Sequence, residues 1–392
     1  MTGLRLSEGE ISLADSRVLI VDDNRGSRAL LGALVAQVGV GNIEYAMDGE
    51  EGLAKIASFL PDLVLLDVRM PKMDGFEMCR RLRQNRAQAD LPVLIQTALN
   101  DDGSRADSFR AGATDMVSKP VVPIELMARV RIHLEKRLLI RNLSAYQERV
   151  AQELHSARAM QLGLLPKDTW VADVGARHGL VISSHFEASS EIGGDIWDMV
   201  EIDDGRLGLF ICDFSGHGVT AALNTFRLHT LVRQTPPGDS DPGAWLTGIN
   251  ARLKGLLPPG QFATLLYAIL DTVNDTFTYA SAGSPSPILG IGGTADVVGS
   301  EGLFLGVTAD AVYQTRTVPL PPGGFVFLYS DALTESLGVD GRSLNEDGLL
   351  DLVRGNLGKP SEAPLRDVLD TFFASVPRPL PDDLTAVWIA RR

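Results

Sequence analysis

The sequence predicts a multidomain protein: a doubly wound α/β domain with a five-stranded parallel sheet, then a long helix, then an α+β domain built as a β-sandwich flanked by helices. Before residue 123, short branched apolar runs alternate with amphipathic stretches, which favours βα repeats. Between residue 123 and Gly163 there is no glycine, and apolar residues recur at helical spacing. Beyond Pro166 the chain is rich in glycine and in strand-like runs, which indicates a domain of another class.

The α/β part is predicted from five apolar runs that alternate with helix-like stretches. The run at residues 63–66 is continuously apolar, as expected for a strand buried on both faces. The predicted strands are residues 17–21, 43–46, 63–66, 92–96 and 114–118, and the predicted helices are residues 25–38, 50–59, 76–84 and 101–111.

The middle segment reads as one long amphipathic helix that ends near residue 165, before Pro166. Two interpretations of it stay open. It is either a coiled-coil stalk of a homodimer, with an imperfect heptad, or a helix that packs along its own domain. Apolar residues recur at Met127, Val130, Leu134, Leu138, Leu143, Tyr146, Val150, Leu154 and Ala157.

Strand-like runs and helical stretches are grouped separately after Pro166, which is typical of an α+β fold. The predicted strands are residues 180–187, 206–212, 264–270, 276–280, 325–329 and 386–389, and the predicted helices are residues 219–233, 242–257 and 365–373. We therefore divide the chain into an N-terminal tail at 1–14, an α/β domain at 15–125, a helical linker at 126–165 and a final domain at 166–392.

Composition and charge disfavour several classes of function. The 392 residues are 45% hydrophobic and 22% charged, which is typical of globular domains. The formal net charge of −14 disfavours direct nucleic-acid binding, because a polyanion repels an acidic protein. The N-terminus lacks the apolar core of a signal peptide, and no run approaches the roughly 20 apolar residues of a membrane span. We therefore expect a cytoplasmic protein with no membrane contact.

Polar side chains follow the predicted strands of the α/β part. Asp22 and Asp23 follow the first strand, and Asp67 follows the third. Because ligands bind at the carboxyl ends of strands in an open parallel sheet, these carboxylates should converge, although any one of them could be a solvated loop acid. Three carboxylates need a hard cation such as Mg²⁺, and one of them can then attack a phosphoryl donor. Thr97 and Lys119 follow the fourth and fifth strands, where they could hold phosphoryl oxygens.

The same residues lie in motifs that resemble the response-regulator receiver family, whose fold is flavodoxin-like. The matching segments are VDDN at 21–24, LLDVRMPKMDG at 65–75, QTA at 96–98 and SKP at 118–120, within residues 15–125. The resemblance implies Asp67 as the phospho-acceptor, Mg²⁺ binding by Asp22, Asp23, Asp67 and the backbone carbonyl of Arg69, and switch roles for Thr97 and Lys119.

One position departs from the receiver pattern. Receivers usually carry an aromatic switch residue whose place falls on or beside Met116 here. The resemblance therefore implies that the conformational signal leaves the domain by a modified route. It also implies a cognate sensor histidine kinase as partner.

A second group of acids lies in glycine-rich turns of the last part. Asp195 ends the run IGGD, Asp213 opens the run DFSGHG, Asp331 follows a predicted strand, and Asp382 and Asp383 precede the last strand. Two hard cations that share such carboxylates can activate a water for attack on phosphorus. By spacing alone, aspartates next to glycines are more often caps and turn residues.

Longer motifs around these acids resemble the bacterial branch of the metal-dependent protein phosphatases. This protein phosphatase 2C-like branch includes the stage II sporulation phosphatase and stress-response phosphatases that act on anti-sigma-factor antagonists. The matching segments, within residues 160–392, are ASSEIGGDIWD at 188–198, ICDFSGHGVTAAL at 211–223, FATLLYAILD at 262–271, LYSDALTES at 328–336 and DDLT at 382–385. The segment ELHSARAMQLGLLP at 153–166 is similar to the helix that precedes this domain in the family.

The phosphatase resemblance implies two bound ions, Mn²⁺ or Mg²⁺. Residues 282–284 read Ala-Gly-Ser where many members have histidine after the glycine, and Ala332 stands where glycine commonly follows the aspartate. Neither departure removes one of the metal ligands that the resemblance implies. His217 is a candidate acid or base, with a turn or helix-start role as the alternative. The implied ligands are Asp195, Asp213 (bridging both ions), the backbone carbonyl of Phe214, Asp331 and Asp382, with Asp383 as a weaker candidate in an outer position.

These patterns predict a two-component response regulator in which phosphorylation of Asp67 controls a metal-dependent serine/threonine phosphatase. By resemblance, the substrate is a phosphorylated anti-sigma-factor antagonist in a partner-switching pathway. The alternative is a non-catalytic adaptor whose phosphatase-like domain binds sigma-factor regulators. Such adaptors lose acidic ligands, whereas this chain keeps all four aspartates of the implied site. The long helix between the domains favours a homodimer.

Overall fold

The computed structural model describes residues 12–85, 88–98, 102–216, 218–236, 238, 241–357 and 363–392. The first eleven residues of the predicted tail and His217 therefore lie outside the described residues. The chain divides into two compact units between Val150 and Ala151. The predicted fold class is confirmed, whereas the predicted domain boundaries stay predictions.

The first unit is a doubly wound α/β domain. Its elements are β1 (Arg17–Val21), α1 (Arg25–Gln37), β2 (Asn42–Ala46), α2 (Gly49–Phe59), β3 (Leu63–Asp67), α3 (Gly75–Gln84), β4 (Val93–Ala98), α4 (Asp102–Arg110), β5 (Asp115–Lys119) and the first part of α5 (Pro123–Leu162). The five strands are parallel, in the order β2-β1-β3-β4-β5. The order changes direction between β1 and β3, so the carboxyl ends of these two strands form the expected binding edge.

Helices cover both faces of this sheet because its inner strands are apolar on both sides. All five positions of β3 are buried. On one face, Leu31 of α1 and Leu134 of α5 pack against the strands. On the other face, Ile56 of α2 and Met78 of α3 do so.

Helix α5 begins in the core of the first unit and continues far beyond it. Every fourth residue from Leu126 to Leu138 is buried, which anchors its first turns against the sheet. From residue 139 to residue 149 the side chains are exposed, and the exposed apolar ones include Leu139, Leu143 and Tyr146. The predicted coiled-coil pairing of this helix stays a prediction.

The second unit contains two antiparallel five-stranded sheets. Their orders are β13-β10-β9-β8-β7 and β12-β11-β14-β15-β6. The strands are β6 (Leu180–Glu187), β7 (Asp195–Glu201), β8 (Arg206–Phe214), β9 (Ala263–Asp271), β10 (Thr276–Ala282), β11 (Ile288–Ile291), β12 (Thr294–Val297), β13 (Arg316–Pro319), β14 (Phe325–Tyr329) and β15 (Leu384–Arg391). The helices are α6 (Asp168–Arg177), α7 (Val219–Gln234), α8 (Pro242–Lys254), α9 (Ala332–Glu335), α10 (Asn345–Leu357) and α11 (Pro364–Ser375).

The two sheets pack face to face, with a pair of helices on each outer side. Leu266 of the first sheet and Val387 of the second belong to the core between the sheets. Leu228 of α7 and Ile249 of α8 cover the outer face of the first sheet. α10 and α11 cover the second sheet, where Phe372 lies in the same core as Trp388. The result is a four-layered α/β/β/α sandwich.

Several elements of the second unit were missed by the sequence patterns, namely α6, β7, β11, β12, β13, α9 and α10. β7 is buried at its first five positions even though Asp195 and Asp198 interrupt its apolar pattern. α10 contains two glycines, which weaken a helical signal. The predicted end of α5 near residue 165 was also slightly late, since the helix ends at Leu162.

None of the helices in the part of the chain that the structure describes combines the length and the hydropathy of a membrane span.

Two glycine-to-alanine substitutions should change stability in opposite directions. An ideal Cβ at Gly290 in β11 would lie 1.8 Å from a ring carbon of Phe325, so Gly290→Ala should destabilise the sandwich by about 1–3 kcal/mol. Gly248 is exposed inside α8 and has no atom within 4 Å of that position, so Gly248→Ala should stabilise it by about 0.5–1 kcal/mol. Urea unfolding followed by tryptophan fluorescence reports on this unit, because all four tryptophans lie after residue 166. Equal midpoints for the two variants would contradict the packing described here.

Candidate metal centres

Three carboxylates converge at the carboxyl edge of the parallel sheet. β1 leads directly into Asp22 and Asp23, and β3 ends on Asp67. One oxygen from each of the three side chains lies within 4.8 Å of the others. Asp22 and Asp67 are buried and Asp23 is exposed, so the cluster is open to solvent on one side. Oxygen ligands at this spacing suit Mg²⁺.

Hydrogen bonds fix the two buried acids of this cluster. Asp22 Oδ1 accepts the Asn24 N–H at 2.8 Å, and Asp67 Oδ1 accepts the Val68 N–H at 2.7 Å. Burial raises the pKa of Asp22, against the opposing effects of the Asn24 N–H and Lys119. Asp22 Oδ2 is buried and accepts no hydrogen bond from any described residue, which suits a cation at this point.

A lysine supplies positive charge at the same edge. Lys119 Nζ lies 2.8 Å from Asp67 Oδ1 and 3.6 Å from Asp22 Oδ2. The register of the sheet brings the neighbouring hydroxyl close, since Gln96 pairs with Asp67 and the next residue is the buried Thr97. The structure therefore gathers the five predicted side chains of this site at one edge.

The other two predicted positions of the first unit are close in sequence to residues of this site, Arg69 to Asp67 and Met116 to Lys119. Arg69 follows β3 in an exposed turn. Met116 is half-buried in β5, where it pairs with Ile95 of β4. Gly75 was not singled out from the sequence, yet a methyl group there would lie 2.2 Å from the Asp67 carbonyl oxygen. The start of α3 is therefore packed directly against the backbone of Asp67.

The second group of acids lies around a cavity of about 630 Å³ in the sandwich unit. β8 contributes Asp213 and Phe214, Asp331 lies two residues after the end of β14, and Asp382 lies two residues before β15. These four residues all line the cavity. Among the described residues that line it there is no lysine, arginine or histidine.

Asp195 is buried behind this cavity, directly opposite Asp213 in the β7–β8 pair. Neither carboxylate oxygen of Asp195 accepts a hydrogen bond from any described residue. Burial raises the pKa of Asp195 well above its usual range, and the charge of Asp213 raises it further. A buried carboxylate without a partner is costly unless a proton or a cation neutralises it.

Burial and neighbouring acids raise the pKa values of Asp213 and Asp331, which line the cavity. Burial, followed by the charges of Asp331 and Asp382, raises the pKa of Asp213 to about 8. Burial, followed by the charge of Asp382, raises the pKa of Asp331 to about 6. Within the described residues, these acids do not form a tight group like that of the first unit, in which three oxygens lie within 4.8 Å of one another. Asp213, Asp331 and Asp382 instead share the lining of one cavity.

Asp383 differs from the other acids because backbone and side-chain groups of the chain donate hydrogen bonds to its carboxylate. Its Oδ1 accepts the N–H and the hydroxyl of Ser189 at 2.7 and 2.9 Å, and its Oδ2 accepts the Gly194 N–H. A Cβ at Gly193 would lie 2.5 Å from Asp383 Oδ2, and one at Gly194 would lie 2.9 Å from the Phe214 carbonyl oxygen. Gly193 therefore lets the turn before Asp195 approach this carboxylate, and Gly194 lets it approach the backbone of Phe214.

The two departures from the phosphatase pattern lie beside the cavity. Ser284, which stands in the segment where a histidine is common, is buried and lines the cavity. Ala332 is buried at the start of α9, directly after Asp331. Neither residue replaces one of the four aspartates of the site.

Comparisons with known families agree with this geometry. Residues 18–131 match the model of the response regulator receiver domain, and residues 203–392 match that of stage II sporulation protein E (SpoIIE). The chain joins a response-regulator receiver domain to a SpoIIE domain. Below, the first unit is called the receiver unit and the second the SpoIIE unit.

Two curated relatives and one solved structure give the extent of the similarity. The response regulator PleD of Caulobacter vibrioides is 34% identical over 235 residues, which cover 56% of this chain and 50% of PleD. The response regulator MprA of Mycolicibacterium vanbaalenii is 43% identical over 120 residues, 31% of this chain and 51% of MprA. The chain thus spans about half the length of the curated relatives it matches. The SiaA-PP2C domain of Pseudomonas aeruginosa aligns with a TM-score of 0.57 and 21% identity, covering 64% of this chain and 99% of that domain, which supports the fold.

The raised pKa of Asp213 predicts that the metal-free protein loses stability against unfolding as the pH rises. The folded-state pKa of about 8 lies above the usual 3.8, so stability is lost as pH rises from about 4 through 8. At pH 8 in EDTA, Asp213→Asn should therefore be more stable than wild type by roughly 2 kcal/mol or more, and the gap should shrink towards pH 5. The measurement is urea unfolding at both pH values, with Asp351→Asn, an exposed acid on α10, as the control. A metal-free Asp213→Asn that is less stable than wild type at pH 8 would contradict this electrostatic description.

Proposed function

We propose that this chain is a two-component response regulator in which phosphorylation of Asp67 controls a metal-dependent phosphoserine and phosphothreonine phosphatase. The observation that carries the proposal is the pairing of the buried Asp195 with the half-buried Asp213, which lines a cavity with no cationic side chain among its described lining residues. Such a pair requires positive charge that the described part of the chain does not supply there.

The proposed ligands of two Mn²⁺ or Mg²⁺ ions in the SpoIIE unit follow from this arrangement. Asp213 would contact both ions, and Asp195 with the Phe214 carbonyl would hold one side of the site. Asp331 and Asp382 would complete the other side. When bound, the ions would supply the charge that lowers the pKa of the attacking water and stabilises the phosphoryl oxygens.

The residues of the chain itself would orient the substrate and the ligands. Asp383 holds the turn before Asp195 through Ser189 and Gly194, which fixes the position of the buried acid. Ser284 and Ser300 line the cavity and can offer hydroxyl groups to a phosphoryl group. Because no cationic side chain lies among the described lining, the affinity for a phosphorylated side chain would depend on the bound ions.

In the receiver unit, Asp67 would form the bond to phosphorus while the donor histidine of a sensor kinase leaves. Asp67 Oδ1 is held by the Val68 N–H and by Lys119, so Oδ2 is the oxygen that we assign to this attack. Mg²⁺ held by Asp22, Asp23, Asp67 and the Arg69 carbonyl would offset the charge of the incoming phosphoryl group. Thr97 and Lys119 would then bind the new phosphoryl oxygens.

The finer parts of the proposal concern partners. By resemblance, the substrate is a phosphorylated anti-sigma-factor antagonist, which would place the protein in a partner-switching pathway. A homodimer through α5 is supported by the exposed apolar side chains of Leu139, Leu143 and Tyr146.

The phosphatase proposal predicts metal-dependent turnover that the Asp213 side chain controls. With Mn²⁺, the purified full chain should release phosphate from a phosphoserine-bearing anti-sigma-factor antagonist or from an aryl phosphate. Asp213→Asn should reduce the rate by more than about 100-fold, because even partners that only orient metal ligands account for up to that factor in activity. Asp370→Asn, which changes an exposed acid on α11, is the matched control. Absence of turnover in a folded wild-type chain would favour the adaptor alternative.

The regulatory proposal predicts that Asp67 accepts a phosphoryl group. Incubation with acetyl phosphate and Mg²⁺ should add one phosphoryl group by intact-protein mass spectrometry and should change the phosphatase rate. Asp67→Asn should lose both effects, whereas Asp107→Asn, on the exposed surface of α4, should keep them. Labelling of Asp67→Asn at the wild-type level would show that another residue is the acceptor.

A further inference from the structure

A second, smaller cavity of about 130 Å³ lies in the SpoIIE unit, and none of the acids proposed as metal ligands lines it. It is formed by the edge strand β7, by β8 and β9, and by the end of α7. Its lining is mostly apolar and includes Val200, Gly208, Phe210, Val232 and Tyr267. A dry apolar cavity of about 150 Å³ in another protein binds benzene, so this space is large enough for one six-membered ring.

A glycine in β8 leaves room for this cavity. Gly208 lies opposite Val200 of β7, and Phe210, two residues further along β8, lies opposite Tyr267 of β9. A Cβ at Gly208 would lie 2.8 Å from the hydroxyl oxygen of Tyr267 and 3.1 Å from a methyl carbon of Val200. The Tyr267 side chain therefore reaches from β9 over β8, and its hydroxyl lies in the space that Gly208 leaves free.

The hydroxyl of Tyr267 is buried and makes no hydrogen bond to any described residue. Trp245 packs against the ring, with the ring centroids 4.5 Å apart, and this contact limits the directions in which the hydroxyl can point. Burial raises the pKa of Tyr267, so the hydroxyl stays protonated at neutral pH and can donate a hydrogen bond. Buried hydroxyls without a partner are costly and uncommon, which points to an occupant of the cavity.

The charged groups beside the cavity offset each other. Asp198 and Arg233 are the charged residues of its described lining, and Arg233 Nη2 lies 3.1 Å from Asp198 Oδ2. Asp198 Oδ1 accepts the Met199 N–H at 2.8 Å. An ionic ligand would therefore lose its hydration without meeting an unpaired opposite charge, so the lining favours a neutral ligand.

Water alone suits the cavity poorly. A buried water usually makes about two to four hydrogen bonds to polar groups. The described side chains of the lining offer one unpaired hydroxyl, that of Tyr267, among mostly apolar groups. A ligand with an apolar body and one oxygen matches this lining better.

We propose that this cavity is a binding site for a neutral monocyclic aromatic compound of the size of phenol. The ring fills the space between Val200, Phe210 and Val232, and the oxygen of the ligand accepts a hydrogen bond from the Tyr267 hydroxyl. The exposed side chain of Arg233 lies at the rim. The site is separate from the cavity of the proposed metal ligands and does not depend on the proposed function.

The test measures the binding of 4-fluorophenol and fluorobenzene to the full chain by fluorine NMR. Both compounds fill the ring space, but fluorobenzene has no oxygen for Tyr267. 4-Fluorophenol should bind with a Kd on the order of 1 mM or below, as the ligand efficiency of very small ligands allows. Tyr267→Phe should weaken the binding of 4-fluorophenol about 3- to 10-fold, the effect of one hydrogen bond, and should not weaken the binding of fluorobenzene.

A variant that fills the cavity shows where the compounds bind. Val200→Phe places a ring in the cavity and should weaken the binding of both compounds by more than about 10-fold, because the ring takes the space of the ligand. Val339→Phe makes the same change at an exposed position of this unit and should bind both compounds like wild type. Val200→Met takes the place of Val200→Phe if urea unfolding shows that the phenylalanine variant is not folded.

Three results would overturn the inference. If neither compound binds at millimolar concentrations, the cavity holds water only. If both compounds bind equally well to the Val200 variant and to wild type, they bind elsewhere on the chain. If Tyr267→Phe leaves the affinity for 4-fluorophenol unchanged, or weakens both compounds equally, the hydroxyl does not bind the ligand. These measurements need neither metal nor turnover, so their failure is distinct from a failure of the proposed function.

Discussion

The burial of Asp195 opposite Asp213 is the constraint on which the site of the SpoIIE unit depends. Neither oxygen of Asp195 accepts a hydrogen bond from the described residues, and burial together with the charge of Asp213 raises the pKa of Asp195. A folded chain tolerates such a pair only with a proton or a cation between the carboxylates. The metal-free sandwich thus gives up stability by holding these two carboxylates side by side.

The receiver unit also brings carboxylates close together, but there a cationic side chain offsets part of their charge. There Lys119 lies 2.8 Å from Asp67, so the chain carries part of the compensating charge itself. The third acid, Asp23, is exposed and therefore costs less. On the proposed function, a receiver whose acids are partly neutralised would be loaded and unloaded with a phosphoryl group, whereas the SpoIIE site would depend on bound ions throughout.

Much of the fold and of both candidate sites could be predicted because the sequence patterns that indicate them span only a few neighbouring residues. The strand β3 is a continuous apolar run, and Asp67 follows it directly. Motif resemblance predicts Asp195 and Asp213 as site residues, and the structure pairs them across β7 and β8. β7 itself was missed, since Asp195 and Asp198 break the pattern that would have indicated a buried strand.

Other features depend on contacts that sequence spacing does not reveal. Ser189 and Asp383 are 194 positions apart and meet only because β6 and β15 are neighbours in one sheet. Gln161 is one polar residue among many in a long helix, and its partner Gly193 is 32 positions further on. The close packing of Gly75 on Asp67 likewise depends on the path of the turn between β3 and α3.

Crystals grown with Mn²⁺ test most directly whether both units hold divalent cations. Anomalous diffraction near the manganese edge locates each ion without assumptions about ligands. The account predicts two peaks in the cavity of the SpoIIE unit, with the Asp213 carboxylate between them, and one peak beside Asp22, Asp23 and Asp67. Peaks confined to the receiver unit, at Mn²⁺ concentrations that saturate it, would contradict the account.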